Sequence, residues 1–126
     1  MDAAHKFLIC KGSSGMGNRI LAACTAILYS QISGRKLIID WRDGSYSEEG
    51  DNSFPVFFEL PEANSMEELP VAASVYPPVW QDKLETSLGR LRQALEVSDR
   101  SLSFELDQLD YEQDILVFCA YKLIRT

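Results

Sequence analysis

The chain has little that a metal centre, a nucleic acid or a membrane would use. It carries a single histidine, His5, and its three cysteines, Cys10, Cys24 and Cys119, are far apart with no C-x-x-C pair. A tetrahedral zinc site takes about four clustered ligands, so no metal is expected, and an odd set of cysteines in apolar runs reads as reduced, buried thiols. Cations are scarce as well: 12 Lys and Arg against 19 Asp and Glu leave a net charge of −7. Phosphate neutralisation needs clustered Lys and Arg, which excludes a nucleic-acid partner and disfavours an anionic membrane surface. The longest mostly apolar stretch, Ile20 to Tyr29, contains Thr25 and falls short of the roughly 20 residues that span a bilayer. The opening Met1-Asp2-Ala3-Ala4-His5-Lys6 lacks the basic region and long apolar core of a secretory signal, so a cytoplasmic location is expected.

What remains is the composition of an ordinary folded domain. With 126 residues, 46% of them hydrophobic and 25% charged, the chain is expected to form one domain over 1–126 rather than a disordered segment. Lys6 to Lys11 reads as a buried strand running into a glycine cluster. Arg19 to Ser33 reads as a mostly buried helix, with Asn18 as N-cap and Gly34 just past its end. Lys36 to Trp41 has an unbroken apolar centre, which suits a parallel strand covered on both faces. Strand, turn, helix and strand make a βαβ unit. The stretch from Arg42 to Ser53, with Gly44, Gly50, three Ser and four acids, reads as a long surface loop. Further on, Val71 to Val75 is a short strand stopped by Pro77-Pro78. Asp82 to Val97 is a helix with Leu84, Leu88, Leu91 and Leu95 on one face and Asp82 as N-cap. Asp114 to Tyr121 is a third parallel strand. No terminal helix follows it, so the chain is expected to be the first half of a larger protein, and the surface that would face the absent domain, apolar and unpaired, makes a homodimer an expectation.

Two segments could carry chemistry. Gly12-Ser13-Ser14-Gly15-Met16-Gly17-Asn18 lies between the first strand and the first helix. Glycine suits a sharp turn and a close ligand approach, and the helix that follows offers free N–H groups and a partial positive charge to a phosphate, carboxylate or sugar hydroxyl. The spacing G-x-x-G-x-G is neither the dinucleotide fingerprint nor a Walker loop, although Asp40 ends the second strand where a dinucleotide site keeps its ribose-binding acid. The plain alternative is a tight turn. The second segment is Asp40-Trp41-Arg42-Asp43-Gly44-Ser45-Tyr46. In an open α/β sheet, ligands sit beyond the carboxyl ends of the strands, so both segments are expected to face one cleft. Trp41 and Tyr46 offer flat apolar faces to a sugar ring, and Asp40, Arg42 and Asp43 offer hydrogen bonds to hydroxyls. Core aromatics beside a solvated Asp/Arg pair are the alternative. His5, among the first few residues, reads as a solvent-exposed bystander.

Gly12 to Asn18, the run Gly34-Arg35-Lys36-Leu37-Ile38-Ile39-Asp40-Trp41-Arg42 with Ser45-Tyr46, and Phe54-Pro55-Val56-Phe57-Phe58-Glu59 resemble the beginning of the bacterial nodulation fucosyltransferases. These are relatives of α-1,6-fucosyltransferases that move fucose from GDP-fucose to a chitooligosaccharide. The resemblance implies an α/β, Rossmann-like parallel sheet with flanking helices, one half of a two-domain GT-B glycosyltransferase that is inverting and needs no metal or other cofactor. It further implies that the donor is held mainly by a second domain. This chain would then be the acceptor-side half of a sugar transferase, with an oligosaccharide acceptor and a GDP-sugar as partners, truncated and inactive alone. With no histidine to serve, a general base for the acceptor hydroxyl would be a carboxylate, Asp40 or Asp43. Gly12, Gly15, Gly17, Asn18, Trp41, Arg42, Ser45 and Tyr46 would bind ligand. A non-catalytic sugar- or nucleotide-binding module of the same fold is the other reading.

Overall fold

A computed structural model describes residues 6–12, 16–42, 54, 69, 73–97, 99–106 and 108–119. Four strands form a sheet of order β2-β1-β4-β3, where β1 is Phe7–Lys11, β2 Lys36–Asp40, β3 Val75–Tyr76 and β4 Ile115–Cys119. Every pairing is parallel, and β1 lies in register with both neighbours: Lys11 stands opposite Asp40 on one side and Cys119 on the other. The parallel arrangement expected for the first, second and last strands is what the chain adopts. The central strands β1 and β4 are buried at every position, which is why the sequence shows unbroken apolar runs there rather than alternation.

Alternation nevertheless decides which side each residue packs on. Leu8, Cys10, Leu37, Ile39, Leu116 and Phe118 join Ala22, Ala23, Ala26 and Tyr29 of α1, Met16–Ser33. Phe7, Ile9, Ile38, Ile115, Val117 and Cys119 join Trp80, Leu88, Leu91 and Leu102 on the opposite face, where α2, Leu88–Leu95, lies. The chain crosses from the second layer to the first between Leu102 and Phe104, and there the Phe104 N–H donates to the Val117 carbonyl at 3.1 Å, just past the two residues of β4 that pair with β3. Tyr29 and Phe104 then meet edge to face, with ring centroids 4.8 Å apart.

Several boundaries differ from the sequence expectation. The first helix begins at Met16, so Gly17 and Asn18 are helical and Asn18 is not its N-cap. It is also not mostly buried. Its inner face is Arg19, Ala22, Ala23, Thr25, Ala26, Tyr29 and Ser30, while the large side chains of Ile20, Leu21, Leu28 and Ile32 point outward. Small residues let the helix sit close on the sheet, and close packing chose the alanine face over the bulkier one. The second helix begins five residues late, at Leu88, with Ser87 rather than Asp82 as N-cap, accepting from the Arg90 N–H at 3.3 Å. Asp82 instead occupies a left-handed turn (φ 62°). The carbonyls of Leu84 and Thr86, which a longer helix would use internally, accept from the Lys11 ammonium. Of the strand expected over Val71 to Val75, residues 71 and 72 lie outside the described residues, Ala73 and Ser74 are not strand, and the strand found is Val75–Tyr76. The expected end of the last strand at Tyr121 and the Pro55 to Glu59 run lie outside the described residues.

Candidate functional site

The carboxyl edge of the sheet carries two clusters, one on each face, because residue parity sends neighbouring side chains to opposite sides. On the α2 side are the last residues of adjacent strands, Lys11 and Asp40. The Lys11 ammonium lies 2.7 Å from Asp40 Oδ2 and donates to the carbonyls of Leu84 and Thr86 at 2.5 and 3.1 Å, with the Trp80 ring 5.1 Å away. Arg42 clamps the same carboxylate bidentately: Nε to Oδ1 and Nη2 to Oδ2, both 2.8 Å, with its backbone N–H adding a third bond to Oδ1. The outer end of Arg42 reaches Glu85, whose side chain is 79% exposed.

These contacts set the charges. Burial alone would raise the Asp40 carboxyl, but the hydrogen bonds from Arg42 and the charge and hydrogen bond of Lys11 outweigh it and hold it below the ordinary value of 3.8. Arg42 is pushed up by the Asp40 carboxylate, while burial draws the Lys11 ammonium down against the pull of Asp40. Burial, with the Asp40 charge beside it, pushes the Cys10 thiol up to about 12, which leaves it unreactive.

On the α1 side are Gly12, Arg19, Trp41 and Phe54. Trp41 is 1% exposed and meets Phe54 edge to face at 5.1 Å. The Arg19 guanidinium, itself buried, lies 5.5 Å from the indole centroid. Gly12 closes the group: its N–H donates to the Asp40 carbonyl at 2.8 Å, and a Cβ there would overlap Trp41 Cδ1 and come within 2.8 Å of Arg19 Nη1. The glycine is needed for close packing inside the chain.

The structure therefore brings Gly12, Asp40, Trp41 and Arg42 to one edge but divides them between its two faces. The Trp41 ring is occupied by Phe54 and Arg19, as in the core-aromatic alternative. Gly17 and Asn18 are exposed in the first turn of α1, and a Cβ on Gly17 would meet nothing within 4 Å. Gly15, Asp43, Ser45 and Tyr46 lie outside the described residues. Lys11, Arg19 and Glu85 escaped the sequence reading. Lys11 could have been found, since two parallel strands of equal length that end in Lys and Asp set opposite charges side by side. Among the described residues no three His, Cys, Asp or Glu side chains gather as a metal site, and no helix is long and apolar enough to cross a membrane.

A parallel sheet with helices on both faces, whose first strand and first helix flank a glycine-rich segment of the sequence, is a Rossmann-like α/β domain. A solved structure described as fucosyltransferase NodZ from Bradyrhizobium has the same fold, with a TM-score of 0.62 and 22% sequence identity over 96% of this chain and 45% of that one. Residues 4–90 match the family described as nodulation protein Z (NodZ), and the chain belongs to that family. Nodulation protein Z of Bradyrhizobium diazoefficiens (strain JCM 10833 / BCRC 13528 / IAM 13628 / NBRC 14792 / USDA 110) is 36% identical over 55 residues, 43% of this chain and 15% of the relative. The chain thus spans less than half the length of the relatives it matches.

Proposed function

We propose that this chain is the acceptor-side half of a fucosyltransferase-type glycosyltransferase, acting on an oligosaccharide with a GDP-sugar donor held by a partner domain. Membership of the nodulation protein Z family carries the reading, and the relative of known structure is itself described as a fucosyltransferase. The exposed first turn of α1 supports it, because Gly17 and Asn18 leave the helix N-terminus open to a hydroxyl or phosphate. In this reading Asp43, Ser45 and Tyr46 act on the same cleft, with Asp43 the base for the acceptor hydroxyl. Asp40, already neutralised by two cations, is a weak proton acceptor and positions Arg42 and the 84–86 turn instead. A cytoplasmic location goes with it.

One observation favours the second reading, a sugar- or nucleotide-binding module without catalysis: the carboxylate at the end of β2 is saturated by Lys11 and Arg42. Calorimetry with chitooligosaccharides, GDP and GDP-fucose, beside an assay of fucose transfer, separates the two. The half-enzyme reading expects chitooligosaccharide binding that Gly17→Val weakens while the helix signal in circular dichroism persists, with transfer restored by a donor domain. Tight GDP binding with no affinity for chitooligosaccharide would favour the module.

A further inference from the structure

Four charged side chains at the carboxyl edge form a series that runs from the sheet outward, Lys11 to Asp40, Asp40 to Arg42 and Arg42 to Glu85. Exposure rises along it: the side chains of Lys11 and Asp40 are 3% exposed, that of Arg42 17% and that of Glu85 79%. Each inner member fixes the next. Arg42 commits Nε and Nη2 to Asp40, and Nη2 also donates to the Leu84 carbonyl, which leaves Nη1 to hold Glu85 Oε1. The turn that carries Glu85 is pinned on both sides of it, because the carbonyls of Leu84 and Thr86 accept from Lys11.

We propose that Glu85, held by Arg42, binds a hydroxyl of the acceptor sugar, an assignment that rests on the half-enzyme reading above. An ion pair with one member this exposed adds little stability, and ordering a glutamate side chain costs about as much. What the pair does supply is a carboxylate whose position is set before any ligand arrives. Oε1 is taken by Arg42, and among the described residues no donor reaches Oε2, so Oε2 is placed to accept from a hydroxyl.

Charge selects the class of ligand. Two cations and two carboxylates make the series neutral as a whole, and its outermost member is the anion. A phosphate would meet the charge of Glu85 and find the donors of Lys11 and the inner edge of Arg42 already bonded, whereas a neutral hydroxyl brings the donor that Oε2 lacks. The net charge of −7 over the chain acts in the same direction. This face of the edge therefore suits the sugar and not the diphosphate of the donor. Because α1 leaves the same edge on the opposite face, an oligosaccharide lying across the strand ends meets its first turn on one side and Glu85 on the other.

Titration calorimetry of wild type, Glu85→Ala and Glu85→Gln with a chitooligosaccharide and with GDP tests this. Glu85→Ala should weaken chitooligosaccharide binding about tenfold, as expected for a lost hydrogen bond to a charged group. Glu85→Gln keeps an oxygen acceptor without the charge and should weaken it less. GDP binding should be unchanged or tighter in both. Since Glu85 is exposed, urea midpoints and amide exchange over 83–87 should match wild type, which separates lost recognition from a loosened turn. Should alanine loosen the turn, the isosteric glutamine gives the same test. Wild-type affinity for chitooligosaccharide in both variants would overturn this site and leave the half-enzyme reading standing. GDP binding weakened as much as chitooligosaccharide binding, or a loss of affinity in Glu85→Gln matched by faster exchange over 83–87, would overturn it too. A wild type with no affinity for chitooligosaccharide would overturn the half-enzyme reading itself, and this site with it.

Discussion

Two glycines five residues apart serve opposite ends. Gly12 has no room for a methyl group beside Trp41 and Arg19, whereas a methyl group on Gly17 would enter open space on a helix. Gly12→Ala should therefore destabilise the fold by about 2 kcal/mol through overpacking. Gly17→Ala should stabilise it by about 0.5–1 kcal/mol, because alanine loses less backbone entropy in a helix. Urea unfolding of both variants reads the pair, and equal destabilisation would contradict this division of roles. Asp40 gives a pH signature at the same scale. Its carboxyl is held below its ordinary value in the folded chain, so the stability it supplies is complete above the unfolded value and is lost as pH falls through the folded one. Asp40→Asn should cost on the order of 3 kcal/mol at pH 7 by leaving Lys11 and Arg42 without their counter-charge. That gap should narrow as pH falls below the ordinary carboxyl value of 3.8 and on through the lower folded one. Unfolding curves of the two proteins that stay parallel down to pH 3 would contradict this.

At the scale of elements, two cations tie the loops to the ends of the sheet. Lys11 holds the 84–86 turn at the carboxyl edge. At the opposite edge Arg35, buried, donates to the carbonyls of Phe7 and Asp114 through Nη1 and of Tyr111 through Nη2. Lys11→Met should free the carbonyls of Leu84 and Thr86 and leave Asp40 to Arg42 alone. The expected loss is about 3 kcal/mol, with faster amide exchange in 83–87 than in α1. Ser87→Ala, which removes only the cap of α2, should cost about 1 kcal/mol. A Lys11→Met loss no larger than that of Ser87→Ala would mean that the ammonium does not organise the turn.

At the scale of the whole sheet, the order β2-β1-β4-β3 leaves β1 and β4 paired on both sides and, among the described residues, β2 and β3 at the edges. The slowest-exchanging amides should therefore be those of Phe7–Lys11 and Ile115–Cys119, and those of Val75–Tyr76 should exchange much sooner. Hydrogen exchange followed by mass spectrometry measures this directly, and β3 protection equal to that of β1 would imply a further covering element.

Sequence by itself determined the three main strands, their parallel pairing and the helix between the first two, because strands buried on both faces must be apolar at every position. It also placed Gly12 and Asp40 at one edge. Tertiary structure decided what periodicity cannot express. Small alanines, not the larger Ile and Leu side chains, face the sheet, because the distance between helix and sheet is set by packing. The second helix starts late because a lysine from a strand more than 70 residues earlier takes its would-be carbonyls. Gly12 is explained by an indole and a guanidinium that only folding brings against it, and no local pattern in the chain records that contact.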